Sequence, residues 1–174
     1  MRRPVDAARI REFLRALGAE AREDTHLYLT GGTTAVLFGW RATTVDLDIK
    51  MVPERDALFR AIPDLKEKLE VNVELASPAD FIPELPGWQE RSRFISREGK
   101  IDFFHYDFYS QALSKLQRGH TKDRDDVREM IERGLVEPRK AMELFGAIEG
   151  QLYRFPSIDP ASFRRRVEEA LPGR

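Results

Sequence analysis

The sequence predicts an α+β fold, a mixed sheet flanked by helices with a helical C-terminal part, and three observations carry the prediction. Short runs of aliphatic and β-branched residues, several alternating with period two, occupy the first two-thirds of the chain. Stripes of apolar residues at helical spacing separate them. From Asp107 onward the pattern is helical to the end, with breaks near Gly119, Gly134 and residues 153–158. Strands and helices followed by helices alone form an α+β plan.

The elements follow in order. Pro4 suits a first helical turn and Asp6 its positive end, Ile10, Phe13, Leu14 and Leu17 recur at helical spacing, and Gly18 is the expected stop. Residues 27–29 read as a buried strand that enters a tight turn at Thr30-Gly31-Gly32. Residues 33–38 form a short helix, and residues 43–51 a strand with alternating acids. Leu58, Ile62, Leu65 and Leu69 mark a helix interrupted or kinked at Pro63. Val71, Val73 and Leu75 alternate with Asn72 and Glu74 in a half-buried strand, and residues 78–87, with three prolines, read as a loop. Residues 94–96 and 101–106 flank Arg97-Glu98-Gly99-Lys100 as a hairpin. The expected division is a core of residues 1–108 and a helical subdomain of residues 109–174 packed on it.

Composition narrows the function classes. At 174 residues the chain is long enough to bury a real core. It has no cysteine, which excludes disulfides, thiolate metal sites and a cysteine nucleophile. No apolar stretch approaches the ~20 residues that span a bilayer, and Arg2 and Arg3 lead into further charges rather than a signal-peptide core. A cytoplasmic protein with no membrane partner is the expectation. A net charge of −1 supplies no global attraction for nucleic acid, so an RNA substrate would need a local basic groove.

The most informative segment is residues 27–51. Asp46 and Asp48 lie two apart on a predicted strand, so both side chains leave the same face, while Val45, Leu47 and Ile49 would anchor the other. Adjacent carboxylates raise each other's proton affinity unless a cation sits between them, and hard divalent cations favour such oxygen ligands. An isolated Asp-x-Asp also fits a solvent-facing strand edge. Gly31-Gly32 lets backbone approach a ligand closely and puts unpaired N–H groups at a helix start. Alone, the same pair fits an ordinary strand-to-helix turn.

Together, the hydrophobic strand, Gly31-Gly32, thirteen intervening residues (33–45) and Asp46-Leu47-Asp48-Ile49 closely resemble the signature of the polymerase-β-like nucleotidyltransferases. Phe38-Gly39-Trp40-Arg41 with Thr44 ahead of Asp46 adds to the resemblance. It implies that Asp46 and Asp48 hold Mg²⁺ or Mn²⁺, and that the Gly31-Gly32-Thr33 turn, Arg41 and Thr44 serve the phosphates of an NTP donor. It also calls for a third carboxylate on a neighbouring strand. Glu74 and Asp102 are the candidates. Asp102, bounded by Ile101 and Phe103, is the preferred one, as second-metal ligand and general base; Glu74 is expected to face solvent.

In the tail, Lys115 falls at the edge of the stripe formed by Ala112, Leu113 and Leu116. Asp123 and Asp126 lie on the side of Val127, Met130 and Ile131. Thr121 is the expected N-cap, which leaves Asp123 to complement the helix dipole. Lys115 with Lys122-Asp123-Arg124-Asp125-Asp126 resembles the C-terminal part of small nucleotidyltransferases related to abortive-infection and toxin–antitoxin toxins. That resemblance implies that Lys115 contacts phosphate and Asp126 supports the site; the alternative is a structural ion pair between them. It also implies an acceptor on RNA, on a tRNA end or on a protein hydroxyl, and a cognate antitoxin as partner. The rival readings are an aminoglycoside-type small-molecule nucleotidyltransferase, and a catalytically silent module that binds nucleotide or a partner protein. His26, His105 and His120 lack ligand spacing, and Arg164-Arg165-Arg166 reads as the solvated face of a terminal helix.

Overall fold

The structure is a computed structural model and describes residues 3–172. Two compact units are present, the first comprising the chain up to Ser77 together with Ser92–His105, the second Pro78–Arg91 together with the chain from Tyr106 onward.

The first unit is built on a five-stranded mixed sheet in the order β3-β2-β1-β5-β4. Strand β1 (Thr25–Thr30) lies antiparallel to β2 (Asp46–Val52) and parallel to β5 (Ile101–His105). Strand β3 (Asn72–Glu74) runs parallel to β2, and β4 (Arg93–Glu98) antiparallel to β5 with an irregularity between Phe94 and Ser96. Helices α1 (Ala7–Ala19), α2 (Gly32–Phe38) and α3 (Asp56–Lys68) contribute Phe13, Leu17, Val36, Leu58 and Ile62 to the core formed with Leu27, Leu29, Leu47, Ile49 and Phe103. Along β2 the core residues alternate with Asp46, Asp48 and Lys50, whereas on β1 and β5 the face opposite the core also carries Tyr28 and Phe104, stacked at 5.3 Å between centroids.

Several local expectations are corrected. Pro4 precedes α1, and Asp6 is its N-cap, accepting from Arg9 N at 2.9 Å. Gly18 does not stop α1 but lies buried inside it. A Cβ there would meet the Glu98 carbonyl oxygen at 2.5 Å, so glycine is required where the helix approaches the β4–β5 hairpin. Helix α3 continues through Pro63. The acidic strand starts later than expected, and Val45, 65% exposed, is no core anchor.

The second unit is helical: α4 (Trp88–Arg91), α5 (Phe108–Arg118), α6 (Thr121–Glu132), α7 (Pro138–Glu149) and α8 (Pro160–Ala170). The proline-rich loop ends in α4, whose Trp88 stacks on Tyr106 at 4.4 Å between centroids. Asp107, fully buried, organises the start of α5. It accepts from Tyr109 N, Ser110 N and Ser110 Oγ, and takes Arg91 in a two-point bond at 3.0 and 2.8 Å. Thr121 is the first residue of α6; His120 holds the N-cap position, with no side-chain cap bond. Of the arginine triplet, Arg166 is not simply solvated: it donates to the carbonyls of Leu116 and Gln117 at the C-terminal end of α5. Among the described residues no helix is long and apolar enough to cross a membrane.

Candidate active site

Strand β2 buries Leu47, Ile49 and Met51 and leaves Asp46, Asp48 and Lys50 half-exposed on the other face. The glycine turn meets this face because Thr30, the last residue of β1, pairs with Asp48. Gly31 follows with φ +67° and ψ −137°, backbone that a side chain strongly disfavours. A Cβ on Gly31 would also stand 2.8 Å from Asp48 Oδ2. The turn therefore lies directly against the carboxylate.

Gly32 begins α2, and a Cβ there would overlap Thr44 Oγ1 and come within 3.4 Å of Arg41 Nη1. Thr44 is fixed in turn: its hydroxyl donates to the Asp46 carbonyl at 3.1 Å, and its backbone pairs with Val5. Gly31, Gly32, Arg41, Thr44, Asp46 and Asp48 thus form one contiguous group. Thr33 is different. Its side chain is fully buried, and its hydroxyl has no hydrogen-bond partner among the described residues, so only its backbone can serve a ligand at the turn.

Asp102 is not brought to the acid pair. It pairs with His26, four residues from the Thr30 that pairs with Asp48. At about 3.3 Å per residue that is ~13 Å along the strand, far beyond the ~4 Å that separates two metals in a shared site. Asp102 instead receives Arg97 Nη1 at 2.9 Å, with His26 Nε2 at 3.7 Å. Arg97, which also bonds Asp24, has its own proton affinity raised by the two carboxylates.

The carboxylate adjacent to the pair is Glu74. It sits on β3 in register with Asp48, one strand spacing away, and is exposed. Asn72 stands likewise beside Asp46. Two further groups on this face, Asn72 and Lys50, escaped sequence reasoning. Lys50 was available from the period-two alternation of β2, whereas Asn72 and Glu74 needed the β2–β3 register, which no local pattern encodes.

Among the described residues no three His, Cys, Asp or Glu side chains form a ready-made cage for a metal ion. The donors that do meet at the turn are two hard oxygen ligands with a third nearby, a set that fits a cation keeping its remaining positions for water or for phosphate oxygens. On the buried face of the same sheet, His105 holds Thr34 Oγ1 at 3.1 Å. Burial, with help from Arg93 and Arg11, pushes its pKa from 6.5 down to about 4.

Within the helical unit, Lys115 Nζ lies 2.9 Å from Asp126 Oδ2 and 3.5 Å from Asp123 Oδ1, and Arg118 Nη2 reaches Asp123 Oδ1 at 2.9 Å. Lys115, Asp123 and Asp126 are only 5%, 5% and 2% exposed, so this is a buried ion cluster. Asp123 is thus tied to cations rather than merely set against the helix dipole.

The mixed five-stranded sheet flanked by helices is consistent with a nucleotidyltransferase-like fold. Residues 8–145 match the family described as nucleotidyltransferase of unknown function (DUF6036), and the chain belongs to that family. No curated protein and no solved structure matches it.

Proposed function

We propose that the protein transfers a nucleoside monophosphate from an NTP to an acceptor hydroxyl, with Asp46 and Asp48 as ligands of Mg²⁺ or Mn²⁺. The observation that carries this reading is the Gly31 turn lying against Asp48 Oδ2, which joins a phosphate-approachable backbone to a carboxylate pair. In the reaction the acceptor oxygen bonds to the α-phosphorus and the bond to the β-phosphate bridging oxygen breaks. Pyrophosphate leaves, and the hydroxyl proton passes to Glu74, the exposed carboxylate of the face. Bound divalent cation would supply charge neutralisation for the triphosphate and the leaving group. Arg41, held over Gly32, adds a fixed positive charge at the turn. Glu74 replaces Asp102 as the third carboxylate.

For the acceptor, the resemblance of the tail to toxin-related nucleotidyltransferases supports a hydroxyl of RNA, of a tRNA end or of a protein, with an antitoxin as partner. The test is incubation with each α-phosphate-labelled NTP and Mg²⁺, with total tRNA, with cellular RNA and with protein extract. Label entering a macromolecule with wild type but not with Asp48→Asn supports the reading. Absence of transfer and of pyrophosphate release under every combination would refute it.

A further inference from the structure

Strand β3 places an amide where a third acid of the row could stand. Asn72 is in register with Asp46, and its Nδ2 donates to Asp46 Oδ1 at 2.5 Å. The amide nitrogen, not the oxygen, faces the carboxylate, because two acceptors at that distance would repel. A carboxylate on a half-exposed strand otherwise rotates broadly about its terminal torsion. Engaging one oxygen from the neighbouring strand fixes the plane of the group.

We propose that Asn72 is a positioning residue for the acid pair: it holds Asp46 so that Oδ2 is the oxygen presented to a divalent cation. The inference rests on the reading that Asp46 and Asp48 bind that cation. The identity of the side chain matters as much as its bond. The face already carries Asp46, Asp48 and Glu74, and an aspartate at position 72 would add a further negative charge in direct contact with Asp46. An amide orients Asp46 without that repulsion. Hydrogen-bond partners of metal-binding side chains typically change metal affinity tenfold to a hundredfold when removed.

The experiment is a titration of Mn²⁺ alone, read by electron paramagnetic resonance of the free ion, with parallel thermal melts in chelator. It uses wild type, Asn72→Ala, Asn72→Asp and Asp46→Asn. Asn72→Ala is expected to bind Mn²⁺ about tenfold to a hundredfold more weakly while melting in chelator close to wild type. Asn72→Asp is expected to melt lower in chelator and to gain more from Mn²⁺ than wild type does. Wild-type affinity in Asn72→Ala, with binding lost in Asp46→Asn, overturns the inference and leaves the metal reading standing. Unchanged binding in Asp46→Asn, or no binding by wild type, overturns both. Should Asn72→Ala fail to fold, Asn72→Ser, too short to reach Asp46 Oδ1, carries the same expectation.

Discussion

Replacing Lys115 by methionine removes the ammonium from a cluster in which Asp126 and Asp123 are almost wholly out of water. Asp123 keeps Arg118, but Asp126 loses its 2.9 Å partner. Breaking a buried pair by deleting one member costs about 3–5 kcal/mol, because a buried carboxylate then lacks its countercharge, whatever other contacts it keeps. At roughly 2–4 °C per kcal/mol for a chain of this size, Lys115→Met should lower Tm by about 6–20 °C. The double variant Lys115→Met/Asp126→Leu removes both charges and should recover most of that loss. Thermal melts of the single and double variants at pH 7 measure the effect, with an NTP titration of each. If Lys115→Met melts like wild type and loses only NTP affinity, the ammonium faces phosphate and the ion-pair argument is refuted.

Other consequences are equally direct. Gly31→Ala forces a side chain into positive-φ backbone and against Asp48 Oδ2, and should cost about 1–3 kcal/mol in denaturant titrations; nucleotide binding should fall with it. Asp102→Asn should leave Mn²⁺ affinity and NMP transfer unchanged, whereas Glu74→Gln should reduce NMP transfer, because Glu74 and not Asp102 is in register with Asp48; equal losses of transfer in the two variants would contradict that assignment. His105 stays neutral in the folded protein down to about 4, against 6.5 when unfolded. The unfolded chain therefore binds the extra proton between those values. Its contribution is complete above pH 6.5 and is lost as pH falls towards 4, by at most about 3 kcal/mol. Wild type and His105→Gln, compared by denaturation at pH 7.5 and pH 4.5, should differ in acid sensitivity by up to that amount.

What the sequence made legible was what local pattern encodes. The alternation of Leu47 and Ile49 with Asp46 and Asp48 defines a two-faced strand, and Gly31-Gly32 marks a turn whose φ of +67° at Gly31 demands glycine. Both lie in contiguous sequence. Alternation gives the face of a side chain but not its height along the sheet: Asp102 shares the polar face with the pair, yet sits at the level of His26. Glu74 is exposed, as its alternation predicts, and still lies beside Asp48, since exposure and adjacency are independent properties. Gly18 reads locally as a helix stop, but its constraint comes from Glu98, eighty residues away. The ion pair of Lys115 and Asp126 was within reach, since both sit on adjacent helices beside apolar stripes and neither could be buried alone.

The central claim is a divalent-cation-dependent nucleotide site on the Asp46–Asp48 face, and calorimetric titration of each NTP with and without Mg²⁺ tests it most directly. Wild type and the double variant Asp46→Asn/Asp48→Asn should be compared at equal foldedness. The account predicts binding by wild type that requires Mg²⁺ and vanishes in the double variant. Binding that persists in the double variant, or that ignores Mg²⁺, would contradict it.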